Sequence, residues 1–340
     1  MKRILATWVL VLSLLLSGCT DVPPPSSDDP IFLEFEAQTW QITCSGGKNS
    51  LDARTAEYFS QLVYRETNGA VTVTVHPGNT LTEGDASAGL QNVLDGGAGI
   101  SLYSSLLWSQ KDPRFTVLTL PFLFSSETEA AAALDGDGGD ALAKLLKTYG
   151  QHCIGIGSGG FRCPTNSIRP IASPADMQDL RIRVDDLPVL REAYGLWGAQ
   201  CVRMDWPLVY TALRTGTHDG QEMPFEVADA SSVQDVQTHV TDWTGLYSGL
   251  FFCMNRELYD SLSPTLREIV DECGKKTVEY QRRLMDENAR AVLSRWRKAK
   301  VTVTVLTPEA AAEFRSAAQP LYNDFSKNIS ADLLSAFVKP

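Results

Sequence analysis

Segments with the two-residue period of strands alternate with segments of helical period, and this alternation constrains the fold more than any other feature. It begins at Trp40, where a short strand precedes a polar loop and a helix. The order strand, helix, strand, helix, strand implies a parallel sheet flanked by helices. The five segments are Trp40–Thr43, a helix from about Leu51 to the Asn68-Gly69 stop, Val71–Val75, Ala86–Leu94 and Gly99–Tyr103.

The same alternation returns in the second half of the chain. One helical pattern, about Pro264–Lys300, is longer than a compact domain usually holds. Two α/β lobes joined by crossing segments explain the pattern better than a single sheet does, and no repeat of fixed period is visible. The other predicted segments are the strands Cys153–Ile156, Leu180–Val184, Gly249–Met254 and Val301–Val305, and the helices Leu187–Leu196 and Trp206–Leu213.

The N-terminus predicts export and lipidation. Two basic residues precede the apolar stretch Ile4–Leu16, which is shorter than the roughly 20 residues that span a bilayer and has the proportions of a signal-peptide core. Leu16-Ser17-Gly18-Cys19 resembles the lipobox of bacterial lipoproteins, in which the cysteine receives a diacylglycerol and becomes the mature N-terminus. We therefore expect a lipid on Cys19, followed by a flexible tether that is too polar to fold.

The charge balance argues against nucleic acid as a partner. The formal net charge is −11, and loss of the signal segment removes two positive charges and no negative one. The chain has no basic run that could neutralise phosphates, on which nucleic-acid binding rests. Beyond the signal segment, no stretch of the sequence is apolar enough to cross a membrane.

Six cysteines remain once Cys19 is acylated. An even number outside the cytoplasm permits disulfides, but the sequence does not choose among the possible pairings. Several cysteines lie in apolar runs, where a thiol behaves as a small hydrophobe, so we expect mostly buried free thiols. No two have C-x-x-C spacing, which disfavours a zinc site. The six are Cys44, Cys153, Cys163, Cys201, Cys253 and Cys273.

The patterns that could indicate an enzyme are incomplete. Gly155–Gly160 satisfies the G-x-G-x-x-G pattern of dinucleotide sites, but Pro164 and further prolines keep the chain extended where a helix would have to begin. Ser158 does not satisfy G-x-S-x-G, and the four histidines are scattered. The aspartates of the glycine-rich loop 135–140 lack the spacing of a calcium loop. We therefore expect no cofactor, no metal and no catalytic set.

Two arginines are the strongest candidates for ligand contact. Arg162 begins an extended segment, and Arg183 lies in the strand Leu180–Val184, where Arg181 shares its face. The pattern alone leaves two roles open. These arginines either face solvent and pair with local carboxylates such as Asp185, or they bind an anionic ligand.

The same segments resemble the solute-binding proteins of tripartite ATP-independent periplasmic (TRAP) transporters, the DctP-like family. The resemblance covers about Trp40 to Val338. It implies an α/β, two-lobed periplasmic-binding-protein fold with β-strand crossings, a long helix spanning both lobes, and a cleft that closes on a small organic acid. Its most specific stretches are Leu118–Phe124, Gly160-Phe161-Arg162 leading to Pro174–Val184, and Val209–Glu222.

The resemblance also assigns ligand-binding residues. Arg183 matches the arginine that forms a salt bridge with the ligand carboxylate, and Arg162 matches a second arginine of the cleft. A planar guanidinium suits this role because it grips a carboxylate through two parallel hydrogen bonds and stays charged when desolvated. Trp206 takes the place of a pocket aromatic. The far wall is expected in the loop Ser45–Ser50, which includes Asn49, and in the turn Ser104-Ser105.

Two departures from the family pattern change the expected ligand. Met223 stands where the sialic-acid binders of this family have an asparagine, and Ser104 stands where they have a glutamate. With Trp206 and Cys44 nearby, the pocket is expected to be more apolar, so that the hydroxyl groups of a sugar acid would remain unpaired. The sequence therefore favours a less polar carboxylate, such as a keto or aromatic acid.

The predicted function is that of an extracytoplasmic, lipid-anchored solute-binding protein that delivers a small organic acid to a TRAP membrane permease. The alternatives are a ligand-sensing subunit of the same fold that acts on a membrane receptor, and a lipid-anchored hydrolase. The predicted regions are a signal peptide (1–18), a lipidated N-terminus and tether (19–38), lobe I (39–160), lobe II (161–248), a return to lobe I with part of the long helix (249–288), and the completion of lobe II (289–340).

Overall fold

The computed structural model describes residues 35–204 and 206–338. The predicted signal segment, the Cys19 lipidation site and most of the tether lie outside the described residues. The described residues form one compact unit.

Ten strands within the described residues form the sheet of this unit. Eight of them run in the order β2-β1-β3-β9-β4-β7-β5-β6, and β8 and β10 lie off this path. The β1, β2 and β3 strands are parallel to one another, as are β5, β6 and β7. β10 pairs with β8, which also pairs with the end of β4. The strands are β1 (Gln38–Cys44), β2 (Val71–His76), β3 (Ile100–Ser104), β4 (Gln151–Asn166), β5 (Arg181–Val184), β6 (Gln200–Arg203), β7 (Gly220–Pro224), β8 (His239–Asp242), β9 (Tyr247–Asn255) and β10 (Thr302–Val305).

Thirteen helices within the described residues cover the sheet. Short 3₁₀ turns at 77–82, 113–119, 174–177 and 233–235 and a π-helical turn at 325–330 accompany them. The helices are α1 (Leu51–Glu66), α2 (Ala86–Leu94), α3 (Ser105–Ser109), α4 (Glu127–Leu134), α5 (Asp137–Lys147), α6 (Pro188–Leu196), α7 (Trp206–Arg214), α8 (Phe225–Ala230), α9 (Arg256–Ser261), α10 (Pro264–Lys298), α11 (Pro308–Ala317), α12 (Gln319–Asp324) and α13 (Ala331–Ser335).

Strand β4 passes from one part of the sheet to the other. Its first part, residues 151–161, pairs antiparallel with β9 in the sheet that contains β1, β2 and β3. Its last part, residues 162–166, pairs with β7 and β8. The sheet therefore has two segments, which belong to the two lobes that the sequence predicted. The predicted strand Cys153–Ile156 is only the beginning of this crossing.

The long helix α10 joins the cores of the two lobes. Near its N-terminus, Leu266, Val270 and Cys273 pack into a core on one face of the first sheet segment. Near its C-terminus, Val292 and Trp296 belong to a larger core that continues through the second lobe. The prediction of one helix that spans both lobes is thus confirmed, with bounds within two residues of the predicted ones.

The glycine-rich segment of β4 allows α10 to lie close to the strand. A Cβ atom on Gly155 would approach Cγ2 of Val278 to 2.8 Å, and one on Gly157 would collide with Oε1 of Gln281. That oxygen accepts a 2.8 Å hydrogen bond from the backbone N–H of Ser158. The glycine-rich segment is strand throughout, and no helix follows it directly. Because a dinucleotide site requires a helix at that point, the match to its glycine pattern is fortuitous.

Two local predictions need comment. The glycine-rich stretch 135–140 was expected to be a loop, but Asp137 and Asp140 lie in the first turns of α5, where acidic residues favour a helix N-terminus. All six cysteines are free thiols in this part of the chain, as expected, although Cys153 and Cys201 are only partly buried. Within the described residues, no helix combines the length and the apolar composition that a membrane span requires.

The close contact between α10 and β4 predicts that Gly155→Ala destabilises the protein. The new methyl group would press on Val278, a β-branched side chain that has little rotamer freedom in a helix. We expect the free energy of unfolding, measured by urea denaturation, to fall by about 1–3 kcal/mol. Gly195→Ala in α6 is the control, because a Cβ there meets nothing within 4 Å. That variant should be about 0.5–1 kcal/mol more stable, and equal stability of Gly155→Ala and wild type would contradict the close packing.

Candidate functional site

A cavity of about 650 Å³ lies between the two lobes. Polar and charged side chains from both lobes face it, together with a few apolar ones. The first lobe contributes Ser45, Asp52, Asn79, Ser104 and Gln110, and the segments of the second lobe contribute Arg162, Arg183, Asp185, Trp206, Met223 and Glu226.

Arg183 is held in the wall of this cavity by strand β5. Its side chain is only 4% exposed, although the strand pattern equally allowed a solvent-facing position. Nε donates a 3.0 Å hydrogen bond to the carbonyl oxygen of Met204. The guanidinium carbon lies 5.3 Å from the ring centroid of Trp206, within the range of a cation–π contact. Nη1 is buried and has no hydrogen-bond partner among the described residues. One hydrogen-bond donor of Arg183 is therefore unsatisfied in a side chain that lines the cavity.

Arg162, by contrast, is engaged by carboxylates through two of its three nitrogens. It stands where β4 enters the second lobe, and its Nε and Nη2 donate to the two carboxylate oxygens of Glu222 at 2.5 and 2.8 Å. Both side chains are at most 5% exposed. Burial alone would lower the pKa of Arg162, but the charge and hydrogen bonds of Glu222 outweigh this effect and raise it. The structure therefore shows a buried bidentate ion pair that shapes the cleft.

Asp185 connects the two arginines. Its carboxylate oxygens lie 2.7 Å from Nη2 of Arg183 and 2.8 Å from Nη2 of Arg162. Burial would raise the pKa of Asp185, but the two positive charges prevail and hold it below its ordinary value. Arg183 thus pairs with the local carboxylate that the sequence offered as one alternative, and it also lines the cavity.

Two further carboxylates lie in the cavity wall where α1 begins. Asp52 accepts a 3.3 Å hydrogen bond from the N–H of Gly46, and Glu226 of α8 accepts one of 3.0 Å from the N–H of Leu51. Desolvation raises the pKa of Asp52 to about 7, and the negative charge of Glu226 adds to the rise. Desolvation also raises the pKa of Glu226. This pair was missed in the sequence, because an acid in the first turn of a helix ordinarily stabilises the helix N-terminus.

The other predicted site residues are divided between the cavity and its surroundings. Trp206, Met223, Ser45 and Ser104 line the cavity. The Ser104 hydroxyl also accepts a 3.2 Å hydrogen bond from the N–H of Leu107 and so caps α3.

Three residues lie elsewhere. Ser105 is fully buried behind the wall, where its hydroxyl accepts a 3.0 Å hydrogen bond from the N–H of Gly249, and Asn49 is exposed at the surface. Cys44 is buried in the core of the first lobe, where desolvation raises the pKa of its thiol to about 12. Since Cys44 is absent from the lining while Asp52 and Glu226 are present, the pocket is more polar than the sequence predicted.

The described residues contain no cluster of three or more side chains that could hold a metal ion. The cavity wall instead offers what an organic anion requires, namely one arginine with a free donor and an aromatic ring beside it. Hydroxyl and amide groups complete the opposite side.

Comparison with known proteins agrees with this chemistry. The family model described as "Bacterial extracellular solute-binding protein, family 7" (DctP) matches residues 45–328. Over 248 residues the chain is 30% identical to the 2,3-diketo-L-gulonate-binding periplasmic protein YiaO of Escherichia coli, which corresponds to 73% of this chain and 75% of that protein.

Two further similarities cover most of the chain. The C4-dicarboxylate-binding periplasmic protein DctP of Rhodobacter capsulatus is 26% identical over 342 residues, or 98% of this chain and 97% of that protein. The crystal structure of a TRAP periplasmic solute-binding protein from Ochrobactrum anthropi matches with a TM-score of 0.85 at 28% identity, covering 89% of this chain and 94% of that one.

The buried pair Arg162–Glu222 predicts a large effect on stability. Arg162→Ala would leave the fully buried Glu222 without its partner, so we expect the free energy of unfolding in urea to fall by about 3–5 kcal/mol. The double variant Arg162→Met/Glu222→Leu removes both charges and should recover most of this loss. Arg256→Ala, which breaks an exposed pair with Asp260, is the control and should cost about 0–1 kcal/mol. A loss below about 1 kcal/mol in Arg162→Ala would show that the pair is not a buried charge pair.

Proposed function

Because the chain belongs to the bacterial extracellular solute-binding proteins of family 7, the DctP family, we propose that it captures a small organic acid outside the cytoplasm and delivers it to a TRAP-type permease. A lipid on Cys19 would hold it at the membrane while it does so. Proteins of this family are transport components, and the chain is not an enzyme.

The observation that carries the proposal is the free donor of Arg183. A buried guanidinium nitrogen without a partner is costly, because a desolvated polar group keeps its full penalty until a hydrogen bond is made. A ligand carboxylate would supply that bond and would also add to the charge–charge attraction. The Trp206 ring beside the guanidinium gives the carbon skeleton of such a ligand an apolar surface.

The relatives support an organic acid as the ligand, and together they bind a range of such acids. One binds 2,3-diketo-L-gulonate and another binds C4-dicarboxylates, so acids of quite different size and charge are accommodated by this family. We therefore propose that the ligand of this chain also carries a carboxylate. The cavity of about 650 Å³ lies within the range that suits small-molecule ligands.

The architecture supports capture by closure of the lobes. Strands β4 and β9 and helix α10 connect the lobes, and the carboxylate of Glu226 in α8 reaches the first residue of α1 across the cleft. Hinge closure around a ligand is a common motion of two-lobed binding proteins. Closure would exclude water from Arg183 and strengthen its contact with the carboxylate.

The central test is the substitution of Arg183. A binding protein of micromolar affinity has about 8 kcal/mol of binding free energy, and loss of one partner of a buried charge pair costs about 2–5 kcal/mol. Once a ligand is found by screening organic acids, we expect Arg183→Ala to shift its Kd, measured by titration calorimetry, from micromolar towards millimolar. Arg183→Lys should also bind poorly, because an ammonium cannot form two parallel hydrogen bonds.

Arg181→Ala is the matched control for this test. Arg181 lies two residues away on the same strand, but it is largely exposed and pairs with Asp219 instead of lining the cavity. Its removal should leave the Kd unchanged. If Arg183→Ala binds within about twofold of wild type, Arg183 contributes no more than an exposed charge does and the proposed anchor is wrong.

The anchor on Cys19 is a separate prediction. Cys19→Ala should abolish labelling with radioactive palmitate and release the protein from the membrane fraction, because the acylated thiol is missing. Globomycin, which blocks lipoprotein signal peptidase, should cause the unprocessed form of the wild-type protein to accumulate. Normal palmitate labelling of Cys19→Ala would refute the anchor.

A further inference from the structure

The charges in the cleft are arranged unevenly. Arg162 is paired with Glu222 and with Asp185, so its positive charge is already balanced within the wall. Arg203, at the rim, is 71% exposed and pairs with Asp186. Among the described residues of the lining, Arg183 is the one cation that keeps a buried donor, Nη1, without a partner.

The negative charges near α1 have no such partners. Neither Asp52 nor Glu226 forms an ion pair with any described residue, and Arg54 acts on Glu226 through space. Each carboxylate uses one oxygen for a backbone hydrogen bond, Oδ2 in Asp52 and Oε1 in Glu226. The second oxygen of each remains able to accept a hydrogen bond from a ligand.

The two ends of the cleft therefore require different chemistry. The unpartnered Nη1 of Arg183, in a side chain that is 4% exposed, calls for an anionic acceptor. Asp52 and Glu226 present acceptor oxygens to the cavity and so call for donors. Because the pKa of Asp52 is raised to about 7, binding is compared at pH 8, where its ionised form predominates and the pair opposes any further negative charge.

We propose that the cleft selects a monocarboxylate whose other end donates hydrogen bonds through hydroxyl or ammonium groups, with Asp52 and Glu226 as the acceptors, and that it excludes dicarboxylates. The ligand carboxylate accepts a hydrogen bond from Nη1 of Arg183. The donor groups at the other end of the ligand donate to the free carboxylate oxygens of Asp52 and Glu226. A second carboxylate at that end would face the like charges of the two acids, while the charge of Arg162 is already balanced by Glu222 and Asp185, and this is costly once closure has removed water.

This inference rests on the proposed function, since it specifies the acid that Arg183 binds. It replaces the less polar keto or aromatic acid that the sequence favoured. That preference counted Cys44 as part of the pocket and did not include Asp52 or Glu226.

Binding of matched acids by the purified wild-type protein tests the proposal. Two pairs have the same number of carbons and differ only at the far end, which is a hydroxymethyl group in one acid and a carboxylate in the other: galactonate against galactarate, and erythronate against meso-tartrate. In each pair we expect the monocarboxylate to bind at least about tenfold more tightly in titration calorimetry, because like charges at close range are strongly disfavoured. 4-Aminobutyrate against 4-hydroxybutyrate distinguishes an ammonium donor from a hydroxyl donor.

Two amide variants test whether Asp52 and Glu226 cause the preference for monocarboxylates. Asp52→Asn and Glu226→Gln remove the charge but keep an oxygen for the N–H groups of Gly46 and Leu51, so the fold should be preserved. In each variant, the ratio of the Kd for the dicarboxylate to the Kd for the matched monocarboxylate should fall by about threefold or more. The control is Asp260→Asn in α9, which removes the same charge outside the cleft and should change no affinity.

The outcomes separate this inference from the proposed function. If galactarate or meso-tartrate binds as tightly as its monocarboxylate partner, the inference is overturned while organic-acid capture stands. An unchanged preference in both amide variants would overturn the role of Asp52 and Glu226. If no acid of the panel binds, the inference fails, and if a wider screen of carboxylates also fails to find a ligand, the proposed function fails with it.

Discussion

The contact between α10 and β4 is the interaction on which the rest of the structure depends. Helix α10 and strand β4 both pass from one lobe to the other, and they lie against each other because glycines on β4 leave room for Val278 and Gln281. This packing joins two cores that would otherwise be separate. It also fixes the point where β4 leaves the first lobe, and Arg162 stands at that point. The position of the cleft follows from the position of this crossing.

The electrostatics of the cleft follow from the same arrangement. Because β4, β5 and β7 are neighbours, they bring Arg162, Arg183 and Glu222 together with Asp185, which directly follows β5. Among the described residues, internal pairing leaves no buried donor of Arg162 without a partner, whereas it leaves Nη1 of Arg183 unpaired. A buried arginine that is already paired shapes a site, whereas one with a free nitrogen can bind a ligand. The distinction between Arg162 and Arg183 is therefore a matter of which carboxylates the fold places beside them.

Much of the fold could be predicted from the sequence. The period of the hydrophobic residues located α1, α2 and α10 to within two residues at their ends, since long amphipathic segments give the strongest local signal. The short strands β6, β7 and β8, and the helices between residues 105 and 134, were not identified. Segments of four to eight residues carry too few periods to be recognised, and their structure depends on neighbours that are distant in sequence. The bounds assigned to the lobes remain predictions.

The sequence by itself determined the fold class, the family and the arginines that could contact an acid, because these depend on local periodicity and on motifs that are continuous in the chain. Only the tertiary structure decided which arginine keeps a free donor, that Ser105 and Cys44 lie behind the wall, and that Asp52 and Glu226 face the same cavity. These last two residues are separated by more than half of the chain and meet only when the second lobe docks on α1. Whether these side chains are buried, and which groups they pair with, depends on that docking, and no local pattern of residues encodes it.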